Sequence, residues 1–163
     1  MAGDDIAAWS DFGVGVIGAS AALTGLLFVA VSINLQRILA YPALPARAGQ
    51  TLVFLAAPVI LAMLLLVPEQ STTALGLELV VLGALVGLVL LALSRSRTGQ
   101  ERIGSYLLSR LVPSLVFSLA ILVAGLTLLL GGPGGLRWLL PAVMVAIVAG
   151  LLNAWVLLVE ILR

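Results

Sequence analysis

The chain has 163 residues, of which 63% are hydrophobic and 9% charged, with a mean hydropathy of +1.29 and a net charge of +1. Soluble globules carry roughly 25% charged residues, so this composition excludes one. The near-neutral charge, with no basic stripe outside the helix ends, argues against a nucleic-acid partner.

Runs of ~20 apolar residues are what a helix needs to cross a hydrocarbon core of ~30 Å. The sequence holds five, in one all-α transmembrane domain covering residues 1–163. The first span is expected over about Phe12 to Leu35. Its leader is acidic (Asp4, Asp5, Asp11) and the run is long enough to cross, so it reads as a retained helix rather than a cleaved signal peptide. Pro42 and Pro45 then mark a loop, because proline cannot donate a backbone hydrogen bond. The second span, about Thr51 to Val67, is the shortest, and Pro58 near its middle predicts a kink. A re-entrant segment is the alternative for this stretch. The third span, about Thr73 to Leu93, leads into the polar loop Ser94–Arg102. The fourth, about Tyr106 to Leu130, carries Pro113 in its first turns. Gly131–Gly132–Pro133–Gly134–Gly135 is a tight reversal. The fifth span, about Leu136 to Leu162, tolerates Pro141 near its start.

Lysine is absent, so the basic residues are Arg37, Arg47, Arg95, Arg97, Arg102, Arg110, Arg137 and Arg163. All but Arg137 fall on one side of the zigzag. Cytoplasmic loops retain basic residues, which predicts the N-terminus outside and the C-terminus in the cytoplasm. Trp9 and Trp138 are then expected at the outer interface, and Tyr41 and Tyr106 at the inner one.

Helices in a bilayer associate through close packing and interhelical hydrogen bonds, since lipid is as apolar as leucine. Small residues recur along span one (Gly13, Gly15, Gly18, Ala21, Ala22, Gly25, Ala30), on span three (Gly83, Gly87) and every fourth residue on span five (Ala142, Ala146, Gly150, Ala154). Packing within one bundle is the expected use of such faces; docking onto another subunit is the sharper alternative. Among polar groups, Thr24, Ser32, Ser114, Ser118 and Thr127 can bond back to their own helix. Asn34 and Asn153 cannot be dismissed that way. Asn153 lies ~22 Å along the fifth span from Trp138, and a bond from it to span one is expected, so that Asn153→Leu should lower thermostability. Glu78 and Glu160 fall near interfaces where carboxylates reach water, and Glu160 is a candidate partner for Arg163.

With no His and no Cys, thiolate chemistry and His-ligated metal catalysis have no residues to use. No Walker-type glycine loop occurs, and no paired carboxylates sit mid-membrane. The expectation is a non-enzymatic protein without cofactor or metal. Its partners would be the lipid bilayer and other membrane subunits, or copies of itself. Two functions fit. One is an accessory, regulatory or scaffolding subunit acting through helix faces on a membrane complex or protease. The other is a homo-oligomeric pore lined by the stripe Asp11, Gly15, Gly18, Ala22, Gly25, Val29, Ser32 and Gln36.

Trp9–Ser10–Asp11–Phe12 and Ala22–Leu23–Thr24–Gly25–Leu26–Leu27–Phe28–Val29–Ala30–Val31–Ser32–Ile33–Asn34–Leu35 resemble a family of small bacterial membrane proteins often labelled "modulator of FtsH protease". Asn153–Ala154–Trp155–Val156–Leu157–Leu158 is similar to that family's last helix. The resemblance implies a multi-pass protein of the bacterial plasma membrane and an accessory role, and it supplies no catalytic residues. The residues expected to matter are Gly18, Ala22, Gly25, Val29, Ser32 and Asn34 on the first span, with Asn153 and Trp155 on the last.

Overall fold

A computed structural model describes residues 6–42, 44–95, 106–132 and 134–162, and among these no strand occurs. Five helical segments are long and apolar enough to cross a membrane: Ile6–Ile33, Leu44–Leu65, Thr72–Ser94, Ser109–Leu129 and Gly135–Glu160. The chain thus has the makeup of a multi-pass helical membrane protein. Arg97, Arg102 and Arg163, and with them the expected Glu160–Arg163 pair, lie outside the described residues.

A 3₁₀ turn, Ile6–Trp9, leads into α1 (Ser10–Ile33). Trp9 stacks edge-on against Phe12, their ring centroids 5.5 Å apart, which fixes the entry angle of the helix. The expected first span therefore begins earlier than Phe12. It also ends sooner, because Asn34 interrupts it. The Asn34 side-chain amide donates to the Ala30 carbonyl at 2.9 Å, competing with the helical ladder for that acceptor. A short helix, α2 (Leu35–Ala40), follows.

α3 (Leu44–Leu65) starts seven residues before the expected second span and contains Pro58 without being ended by it. Pro45 opens this helix rather than blocking it, since N–H groups of a first turn have no intrahelical partner. Its 22 residues reach ~33 Å, enough for a full crossing in place of a re-entrant loop. α4 (Thr72–Ser94) matches its expected bounds to one residue and is capped by Ser71, whose hydroxyl accepts from the Ala74 N–H at 3.1 Å. The fourth span opens with a π-helical turn, Leu107–Leu111, before α5 (Val112–Leu129). Gly131 and Gly134 take φ of +65° and +79° in the reversal that follows, backbone conformations that glycine adopts at no steric cost. Pro133 lies outside the described residues. A 3₁₀ turn (Gly135–Trp138) then begins the last span, α6 (Leu139–Leu162).

α4 and α5 form the most extensive helix pair, while α3 is central and touches α1, α4 and α6. Glycines set the closest approaches. A methyl group at Gly125 would lie 2.7 Å from the Gly76 carbonyl oxygen and 2.8 Å from the Val80 nitrogen, so the α4 and α5 backbones are in direct contact. The main core runs through the bundle and includes Phe54 and Phe117, 6.0 Å between ring centroids, and a smaller separate cluster gathers Ile38, Leu44, Ala48 and Leu157.

α1 stands apart. Of its most apolar stretch 17% is buried, against 39–56% for the other four spans. Trp9, Leu65, Leu129 and Trp138 share one end of the bundle, here the tryptophan end. Arg37, Arg47, Arg95 and Arg110 gather towards the other, the arginine end.

Candidate functional site

Two features rise above ordinary packing. The first is the outer face of α1. Its buried residues are Gly13, Val16, Ser20 and Leu27, which turn towards α3. On the opposite side Asp11, Gly15, Gly18, Ala22, Gly25, Val29, Ser32 and Gln36 are all exposed. A methyl group placed on Gly15, Gly18 or Gly25 would meet no atom within 4 Å. Among the described residues the stripe therefore packs against nothing, so of the small residues of span one Gly13 serves the bundle as expected while Gly15, Gly18, Ala22 and Gly25 do not. The equivalent ridges elsewhere do turn inward: Ala142 and Ala146 are fully buried, and a methyl on Gly150 would press against Leu55.

Four side chains of the candidate set behave differently. Ser32 is exposed, and its hydroxyl donates to the Phe28 carbonyl at 2.7 Å, leaving no donor to offer outward. Asn34 spends its amide on Ala30 in the same way. Trp155 is 68% exposed on the far side of α6 and joins no cluster. Asn153 is buried as expected, but its Nδ2 has no hydrogen-bond partner. The expected bond to span one is not made. The reason is register: α6 presses Gly150 onto Phe54 and Leu55 of α3, and α1 touches α6 only lightly. Asn153, one turn further along, is carried towards α3 rather than α1.

The second feature is a buried polar cluster towards the arginine end, which no pattern in the sequence announced. Gln50 on α3 is fully buried and donates from Nε2 to the Ser114 hydroxyl at 3.0 Å and to the Arg110 carbonyl at 3.3 Å. The Ser114 hydroxyl donates to that same carbonyl at 2.5 Å. These bonds have a backbone cause. Pro113 has no N–H, and its ring clashes with the carbonyl four residues earlier in a regular helix. The chain answers with the π turn Leu107–Leu111, in which the Val112 N–H reaches back to the Leu107 carbonyl. Such a turn leaves carbonyls without helical donors, and Gln50 and Ser114 supply them from the side. Arg110, counted with the loop arginines in the sequence, is instead 1% exposed and is the largest fully buried side chain. Tyr106 is likewise buried within the bundle, its hydroxyl donating to the Ser94 carbonyl at 2.9 Å.

Glu78 is held near the tryptophan end, where Gln70 donates from Nε2 to its Oε2 at 2.5 Å. That bond accounts for a carboxylate within the first two turns of a membrane-length helix. Among the described residues no group of three or more His, Cys, Asp or Glu side chains is placed to hold a metal ion. The cluster around Gln50 has no nucleophile paired with a general base. What it can do is hold the starts of α3 and α5 in register.

Set against known families, curated proteins and solved structures, the chain matches none. What the described residues define is a class: a helical bundle with five membrane-length segments, one of which, α1, turns a small-residue face away from the rest.

Proposed function

We propose that this protein is an accessory membrane subunit, regulatory or scaffolding rather than enzymatic, which docks onto another membrane protein through the outer face of α1. One observation carries the reading: Gly15, Gly18, Ala22 and Gly25 leave the α1 backbone bare along a face that none of the other described residues covers. Small residues let two backbones approach closely, which is how helices bind each other in lipid. In this reading the N-terminus is outside, the C-terminus cytoplasmic, and the membrane is the bacterial plasma membrane. The arginine distribution supports the orientation. The likeness of Trp9–Phe12 and Ala22–Leu35 to the family labelled "modulator of FtsH protease" supports the accessory role. A pore of several copies lined by the same stripe is the second reading, favoured by the exposure of Asp11 and Gln36 at its two ends.

The test uses the absence of native cysteine. A single cysteine at Ala22, crosslinked in native membranes, is expected to capture one discrete protein species, and Gly18→Leu with Gly25→Leu should abolish capture while leaving thermal stability intact. Capture of lipid alone overturns the proposal. A ladder of copies of this chain, with a ring-sized mass for the intact assembly, selects the pore.

A further inference from the structure

At the arginine end, between α1–α2 and the start of α3, lies a cleft of about 230 Å³. Every residue lining it is apolar, with Phe28 and Val31 from α1, Leu35 and Leu39 from α2, and Ala48 and Leu52 from α3 among them. It forms where Asn34 breaks the first span. Ile38 of α2 packs with Leu44 and Ala48 of α3, while Phe28, Leu35 and Leu39 stay exposed around it. The cleft shares no residue with the α1 stripe. Along α3 it reaches from Pro45 to Leu52, ~10 Å of depth. Apolar walls without partner atoms forfeit their dispersion contacts, and the occupant that suits them is a hydrocarbon chain.

The mouth of the cleft is basic. Arg37 is next to the lining Ile38 on α2, and Arg47 is next to the lining Ala48 on α3. Arg95 ends α4 two residues beyond Leu93, whose side chain would lie 3.4 Å from a methyl placed on Gly49, itself part of the lining. Arg37 and Arg95 are exposed and Arg47 is half-buried. Glu160, the one carboxylate at this end among the described residues, is on α6, which contributes nothing to the lining. The ends of α3 and α4 lie together here with opposite dipoles, so the arginines set the sign.

We propose that this cleft binds one anionic phospholipid, with an acyl chain between α2 and α3 and the headgroup among Arg37, Arg47 and Arg95. Basic pockets between membrane helices recognise such headgroups. A zwitterionic lipid could fill the cleft but would gain little from the arginines.

The test is native mass spectrometry of the full chain in dodecyl maltoside, titrated with phosphatidylglycerol or with phosphatidylcholine carrying the same acyl chains. One phosphatidylglycerol per chain is expected, held about tenfold or more tighter than phosphatidylcholine. Arg37→Gln combined with Arg95→Gln should weaken phosphatidylglycerol binding about fivefold per arginine removed. Leu35→Trp, at an exposed position on the lining, should fill the cleft and lower the affinity for both lipids. Leu119→Trp, on an exposed face of α5, should change neither. Equal affinity for the two lipids, unchanged affinity in either the arginine variant or Leu35→Trp, or an equal loss in Leu119→Trp overturns the proposal. So does a co-purified protein, in place of lipid, that Leu35→Trp displaces.

Discussion

Glycine to alanine is one chemical change, and this fold expects it to have opposite effects at two places. At Gly125 the new methyl would meet the Gly76 oxygen at 2.7 Å and the Val80 backbone nitrogen at 2.8 Å. Backbone cannot rotate away, so α4 and α5 must part by several tenths of an ångström along their whole interface. Overpacking of this kind costs about 1–3 kcal/mol, against which the better helix propensity of alanine returns about 1 kcal/mol. A net loss of up to about 2 kcal/mol is expected from those two terms. At Gly18 the methyl meets nothing within 4 Å, so only the propensity term acts, and Gly18→Ala should stabilise the isolated chain by up to about 1 kcal/mol. Thermal unfolding in a non-ionic detergent, with the chain confirmed monomeric, measures both. If Gly18→Ala destabilises the monomer as much as Gly125→Ala does, α1 is packed inside the bundle and the uncovered face does not exist.

Asn153→Leu should raise thermostability by about 1–3 kcal/mol, the cost of a buried donor left without an acceptor. This reverses the sign expected when the side chain was taken to bond to the first span, and a loss in the same detergent assay would restore that bond. Tyr106→Phe removes the 2.9 Å bond to the Ser94 carbonyl and should cost about 1 kcal/mol, with protease sensitivity rising at the C-terminal end of α4. Ser71→Ala removes the cap of α4 and should cost about 0.5–2 kcal/mol, while Ser32→Ala, whose hydroxyl only bonds back to its own helix, should change stability by less than about 0.5 kcal/mol.

The sequence by itself determined the number of membrane-length helices, most of their bounds, and the glycine reversal between the last two. These are local properties: apolar length, and a proline or glycine at a break. Where expectation slipped, a local rule had a second outcome, as when Pro45 opened α3 and Pro113 was accommodated by a π turn. Only the tertiary structure decided which face of each helix is inside. In water that choice is written as a polar stripe opposite an apolar one. In lipid both environments are apolar, so hydropathy does not distinguish them, and shape decides instead. Gly150 and Gly125 are buried because a neighbouring backbone fits there, while Gly15, Gly18 and Gly25, chemically identical, are left bare. The same blindness hid Gln50 and Arg110. Arg110 was counted with the loop arginines and nothing marked Gln50, and it took the packing of α3 against the π turn to draw them inside.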